Sequence, residues 1–296
     1  MADLGRKSRQ LYASRLDAIL VSIALAIALG FLFHKVGTFP PPYPWTDESM
    51  IAADAVHTLI SGPKLFYPAQ VAGGSLAAVY LEAAFMALFG KSLLGLRILN
   101  ATLNVILVGM TYALVRLMFA SQGKLFSQMV AGLTSFWLAS SIWILAMGYI
   151  AFIQVVLVPL MAVGCFYLLW LGLETGCRRW FASSGFVMGL SFYGYIPALF
   201  LPVALVAFFG AEWLVSKLDR RRSLLEQYWS QLFWLVVTAI IVTLPLMFLV
   251  ASSPEVFVSR PLTVIVAKTS KSLFKIQDVL ANFAETLASF GLPPQR

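Results

Sequence analysis

Apolar runs long enough to cross a bilayer follow one another through this chain, with short basic clusters between them. A transmembrane helix needs about 20 predominantly apolar residues. Runs of that kind fall at about 18–33, 97–119, 126–147, 150–173, 181–197, 198–215 and 229–250. A backbone in hydrocarbon must satisfy its own hydrogen bonds, so these runs are read as helices. The expectation is an all-α integral membrane protein, a multi-span bundle of about seven transmembrane helices. Hydrophobic residues make up 60% of the 296 and charged residues 11%, more apolar surface than a soluble domain of this length could bury in one core. Those proportions also exclude a secreted disulfide scaffold, a disordered chain and an ordinary cytosolic enzyme.

One apolar run is too short to cross. Leu76–Phe89 has only 14 residues and reads as a helix lying at the interface. If it does not span, Arg116 and Lys124, Arg178 and Arg179, and Lys217 with Arg220, Arg221 and Arg222 all fall on one side. The loops near 140–149 and 191–197 then carry no Lys or Arg. Basic loops stay in the cytoplasm, so the N-terminus is expected inside a plasma (inner) membrane, with Arg6, Lys7, Arg9 and Arg15 before the first span. The first loop, 35–96, is expected outside. No small-residue cleavage site follows the first span, which reads as an uncleaved anchor. The net charge of +8 is therefore a set of topology signals, and no nucleic-acid partner is expected. Cys165 and Cys177 belong to no CxxC or Cys/His cluster and read as packing residues. Residues 1–250 form the transmembrane module. In the outer segment 251–296, Ile276, Val279, Leu280, Phe283, Leu287 and Phe290 keep a helical period, the mark of an amphipathic surface helix.

The first outer loop carries the candidate site. A stiff proline run with Phe39, Tyr43 and Trp45 leads into a helix expected from Thr46 or Asp47 to about Ile60, stopped by Ser61-Gly62-Pro63. Asp47 and Glu48 open that helix. Carboxylates in a first turn meet the positive helix end favourably, but acids held near hydrocarbon are costly and mark functional sites. Neighbours on a helix point about 100° apart, so the two do not serve the same atom. The helix end lowers a carboxylate's pKa and burial raises it, and the sequence leaves that balance open. Arg97, Asn100 and Asn104 share one face of the second span; this reads either as interhelical hydrogen bonding or as an arginine for phosphate. Asp54 and His57 are three apart on the loop helix, and Lys64 follows the turn. All three are supporting candidates.

The stretch W-T-D-E-S-M-I-A-A-D-A, followed by S-G-P-K-L-F-Y, G-G-S-L-A-A-V-Y-L and L-F-G-K-S-L-L-G-L-R-I-L-N-A, resembles the first outer loop of the dolichyl-phosphate-mannose protein mannosyltransferase family. That broad group of polyprenyl-phosphate-sugar glycosyltransferases has the GT-C fold and includes lipid A aminoarabinose transferases. The likeness continues through R-R-W-F-A-S-S-G-F-V-M-G-L-S-F-Y-G-Y-I-P and S-P-E-V-F-V-S-R. It implies a GT-C-like bundle and an external active site where a lipid-linked sugar phosphate gives its sugar, with inversion, to a hydroxyl of a protein, lipid or glycan. By motif, Asp47 is the implied base and Glu48 a second carboxylate. Arg97 and Arg260 are the implied donor-phosphate cations.

The chain departs from the family in two ways. Its second outer loop, S-S-I-W-I-L-A-M-G-Y-I-A-F-I-Q, has no acid where members often carry one, and Gln154 does not replace a hard anionic ligand. No cofactor is expected, and a divalent metal lacks support. Members are also usually longer, so the expectation is a truncated form of the shared unit. Two further readings stay open: a non-catalytic module or partner subunit that binds lipid carrier or another membrane protein, and a small-solute transporter. Transport would call for ionisable residues buried in mid-span, which the runs lack.

Overall fold

The computed structural model describes residues 15–34, 36–37, 46–62 and 75–252. Among them every regular element is a helix: α1 (Arg15–Phe33), α2 (Thr46–Ser61), α3 (Leu76–Phe89), α4 (Leu93–Met118), α5 (Lys124–Ser140), α6 (Ile142–Gly148), α7 (Ile153–Thr175), α8 (Arg178–Ser191), α9 (Phe200–Leu218) and α10 (Leu224–Ser252). Lys64, Arg260, the aromatic residues at 39, 43 and 45, the basic residues before Arg15, and the periodic run 276–290 lie outside the described residues.

Local chemistry sets the helix ends. Ser92 caps α4 by accepting from Gly95 N at 3.0 Å, as expected of an N-cap serine. The expected stop of α2 is found: Gly62 takes φ +83° and its N–H donates to Thr58 O at 3.0 Å. α7 ends at Gly176 in the left-handed region, φ +68°, a conformation glycine adopts without a Cβ penalty.

Among the described residues, five helices are long and apolar enough to cross a membrane, and six crossings result if the bent pair α5 and α6 counts as one. The seventh expected pass, α8, is too short to meet that length. The run 126–147 breaks at Ser141, where α6 turns 50° from α5. The run 181–197 yields only the 14-residue α8, about 21 Å of rise against about 30 Å of hydrocarbon. Gly194 and Pro197 end it, with Tyr195 extended at φ −151°. α3 is also short, 14 residues as its sequence indicated.

α8 nevertheless returns the chain to its starting level. Tyr193 O, just past α8, accepts from Ala77 N in the first turn of α3 at 2.9 Å. The two ends of the bundle therefore differ in kind. At one end lie α2, α3, the N-terminus of α4 and the 149–151 turn, where Tyr149 Oη donates to Phe31 O at 2.7 Å. At the other, buried Asp17 accepts from Tyr112 Oη (2.9 Å), Arg116 Nε (2.9 Å) and Gln128 Nε2 (2.8 Å). Tyr167 and Leu171 of α7 share a small cavity with that cluster, and Tyr228 Oη reaches Leu173 O at 2.8 Å. The basic loops after α4, α7 and α9 thus gather at the Asp17 end.

Small residues let α8 approach its neighbours. A Cβ at Gly172 would meet the Phe181 ring at 2.8 Å, and one at Gly189 would meet Ala239 O at 2.8 Å. A Cβ at Gly185 would overlap the Leu235 carbonyl outright. Cys165, buried beside Ser184 Oγ at 3.2 Å, packs in the same seam. Gly185 faces backbone, which cannot rotate away as a side chain can. Gly185→Ala should therefore lower bundle stability by about 1–3 kcal/mol, the usual cost of overpacking, read as a drop in unfolding temperature in detergent. An unchanged midpoint would mean that α8 and α10 do not meet at that carbonyl.

Candidate functional site

The first turn of α2 separates its two acids. Asp47 is exposed, whereas Glu48, about 100° around the helix, is 1% exposed. Glu48 meets Arg97, which is 2% exposed on the first turns of α4. Arg97 Nε donates to Oε1 and Nη2 to Oε2, each at 3.1 Å. This two-pronged fork is the strong form of a carboxylate–guanidinium contact. A third donor comes from the backbone: Ala151 N donates to Glu48 Oε1. The α5–α6 break delivers that N–H, because it turns the chain into the 149–151 turn beside α2. Asn100, one turn on from Arg97, fastens the same segment by donating to Met147 O and Ile150 O. Asn104 then donates to Asn100 O at 2.9 Å. The shared face of Arg97, Asn100 and Asn104 is therefore a seam of α4 against α2 and the 147–151 segment.

Two residues, Glu82 and Lys91, were not singled out from the sequence. Glu82 of α3 is fully buried, and among the described residues neither of its carboxylate oxygens has a hydrogen-bond partner. Burial first, and the nearby Glu48 charge second, push its carboxyl up to about 8. Asn100 Oδ1, Asn104 Oδ1 and Gln154 Oε1 are likewise buried without a donor among the described residues. This end of the bundle holds more acceptors than donors there, so it favours a protonated Glu82 and ligands rich in N–H or O–H groups. Lys91, in the α3–α4 connection, is exposed. It lines a groove of about 690 Å³ together with Glu48, Ser49, His57, Ser92 and Leu96. The sequence signal for Glu82 and for Asp17 was a lone acid within an apolar run, which asks for a partner or a function.

Of the remaining expected residues, Asp47, Asp54 and His57 lie on α2, one wall of this groove. His57 is exposed on its wall, with Nδ1 3.5 Å from Ser61 Oγ. Asp54 is half-buried, and burial raises its pKa against the lowering effect of His57. Asp47 is adjacent to the groove and does not line it. Among the described residues no group of three His, Cys, Asp or Glu side chains could hold a metal.

Residues 74–248 match the family described as dolichyl-phosphate-mannose-protein mannosyltransferase. The matched span holds Glu82, Lys91, Arg97 and Gln154 but begins after Asp47 and Glu48. No curated protein and no solved structure matches the chain.

Glu82 gives the site a pH signature. Unfolded, its carboxyl ionises at its ordinary value of 4.5; folded, it holds the proton to about 8. The folded state thus binds the extra proton in that window, and stability falls as pH rises through it. Wild type should lose stability between about pH 5 and pH 8. Glu82→Gln should flatten the profile and stabilise the protein at pH 8 by up to a few kcal/mol, since each tenfold difference in proton affinity between folded and unfolded chain is worth roughly 1.4 kcal/mol. Parallel pH profiles for the two proteins would show that Glu82 is not carried neutral.

Proposed function

The chain belongs to the dolichyl-phosphate-mannose-protein mannosyltransferase family, a group of membrane glycosyltransferases, and from that premise we propose that it transfers a sugar from a polyprenyl phosphate to an acceptor hydroxyl. The observation that carries this reading is the division of labour in the first turn of α2. Glu48 is locked by Arg97 and the Ala151 N–H, while Asp47 is left open to an incoming group. Glu48 and Arg97 act as positioning residues that fix where Asp47 stands.

In this mechanism the acceptor oxygen attacks the anomeric carbon from the side opposite the phosphate. Its proton passes to Asp47, the bond from carbon to phosphate oxygen breaks, and polyprenyl phosphate leaves with inverted configuration on the sugar. The phosphate needs no proton if cations meet its charge, so a single base suffices. Lys91 is an exposed cation on the groove wall. Arg97 serves as a phosphate ligand only by trading part of its fork with Glu48, and Arg260 is the further candidate named by sequence. Asp54 and His57 of α2 have supporting roles, and Lys64 is a further supporting candidate named by sequence. The site faces the non-cytoplasmic side of a plasma membrane in this reading, because the basic loops collect at the opposite end of the bundle and basic loops stay inside. The acceptor is a protein, lipid or glycan hydroxyl.

Purified protein in liposomes with a radiolabelled polyprenyl-phosphate sugar tests the assignment. Asp47→Asn should cut release of polyprenyl phosphate by about 10²-fold or more, the usual worth of a general base, at an unchanged unfolding temperature. Glu48→Gln should instead lower the unfolding temperature, because it leaves Arg97 buried without its counter-charge, a loss of about 3–5 kcal/mol. Equal turnover by wild type and Asp47→Asn would remove Asp47 as the base. Donor bound without turnover in wild type would leave a lipid-carrier binding module.

A further inference from the structure

A second concavity shares no lining residue with this site. α8, α9 and α10 enclose a groove of about 680 Å³ whose wall is almost wholly apolar, including Met188, Leu205, Phe209, Trp229, Leu232 and Val236. On α10 it runs from Leu225 to Met247, about 33 Å at 1.5 Å per residue and thus the depth of a hydrocarbon layer. It is not a seam that closer packing would close for want of room. Gly210 of α9 lines it, and a Cβ built there meets nothing within 4 Å among the described residues. A glycine in a helix costs about 1 kcal/mol relative to alanine, and here no close neighbour requires it.

Charge marks one end of the groove. The last turn of α9 carries Lys217, and the α9–α10 loop carries Arg220, Arg221 and Arg222. Lys217 is paired with Glu226 at 2.8 Å, and Arg221 with Glu212 at 3.0 Å and Asp219 at 3.7 Å. Arg220 and Arg222 are exposed and form no ion pair among the described residues; Arg222 acts on the already paired Glu226 only through its field. Arg220 takes φ +51°, closing α9 with Asp219 N on Val215 O and Arg221 N on Ser216 O, both at 2.9 Å. That position suits glycine, and a side chain there is under strain. Trp213 and Trp229 flank the loop, the latter 72% exposed, at the level where indoles meet headgroups. At the far end, residues 188–206 and 236–252 contain no Lys or Arg.

We propose that this groove binds an anionic phospholipid, with a hydrocarbon chain lying along α9 and α10 and the phosphate held by Arg220 and Arg222. One-sided charge sets the direction of the lipid: the headgroup sits at the basic loop and the chain runs inward past Trp229, Leu232 and Val236. A basic pocket between helix ends is a known way for a membrane protein to select acidic headgroups. The site is independent of glycosyl transfer, and its test reads binding and stability, not activity.

The full chain in detergent is titrated with dioleoyl phosphatidylglycerol or with dioleoyl phosphatidylcholine, following unfolding temperature and, by native mass spectrometry, retained lipid. Phosphatidylglycerol should stabilise the wild type more and be retained in preference. Each arginine lost should reduce that preference about fivefold, as expected for about 1 kcal/mol per basic residue near an anionic surface. Arg220→Gly relieves the positive φ while removing the charge, so it should reduce the preference about fivefold without losing stability in phosphatidylcholine. Gly210→Leu should fill the groove and weaken retention of both lipids, with the fold intact. Equal retention of the two lipids by wild type, or a preference that survives Arg220→Gly combined with Arg222→Gln, overturns the proposal. Displacement of phosphatidylglycerol by equimolar undecaprenyl phosphate overturns it as well, by making the occupant the lipid carrier.

Discussion

The architecture at the α2 end depends on a carboxylate and a guanidinium taken out of water together. Neither Glu48 nor Arg97 could sit at 1–2% exposure alone, because an isolated buried ion costs several kcal/mol even after relaxation. Their two-pronged contact offsets that cost only if the remaining lone pairs are used, and Ala151 N uses one of them. Three segments distant in sequence thereby meet at one carboxylate. The pair is a registry device: α2 has a single rotational setting in which Glu48 reaches Arg97, and that setting turns Asp47 outward.

A second buried acid holds the opposite end. Asp17 gathers Tyr112, Arg116 and Gln128, joining α1 to α4 and α5. Between the two polar knots the contacts are apolar or made of small residues, and helix association in lipid relies on such packing because burial from lipid brings little hydrophobic gain. The molecule is therefore pinned by specific polar contacts at both ends of α1 and α4, with close backbone approach through Gly185 and Gly189 holding α8 to α10. Glu82 differs from both knots. Among the described residues no cation pairs with it, and its burial beside Glu48 is relieved by keeping its proton.

Legibility in the sequence followed the range of the interaction. Leu76–Phe89 was readable to the residue, since a 14-residue apolar run bounded by Gly and Ser defines its own ends. The start and stop of α2 were equally local, set by the Thr-Asp-Glu opening and by Gly62. The break at Ser141 was not readable, because Phe136 to Met147 is apolar apart from two serines and a serine is tolerated inside a span. Nor was the shortness of α8, whose Gly194 and Pro197 lie within a run that hydropathy alone joins together. Asp47 and Glu48 could be picked out as a pair, but which of them would be buried depended on where Arg97 lies, 49 residues away.

Composition and order along the chain were enough to determine that this protein is a helical membrane bundle, because hydrocarbon leaves the backbone no alternative to satisfying its own hydrogen bonds. They were also enough to place its basic clusters between spans and to single out the first loop. Tertiary structure alone decided the fate of each charge. Burial and pairing depend on distances between segments far apart in sequence. Only the folded chain could tie Glu48 to Arg97, leave Asp47 exposed and isolate Glu82 with its proton. Only the folded chain, too, could set Arg220 and Arg222 beside an apolar groove with no counter-ion among the described residues.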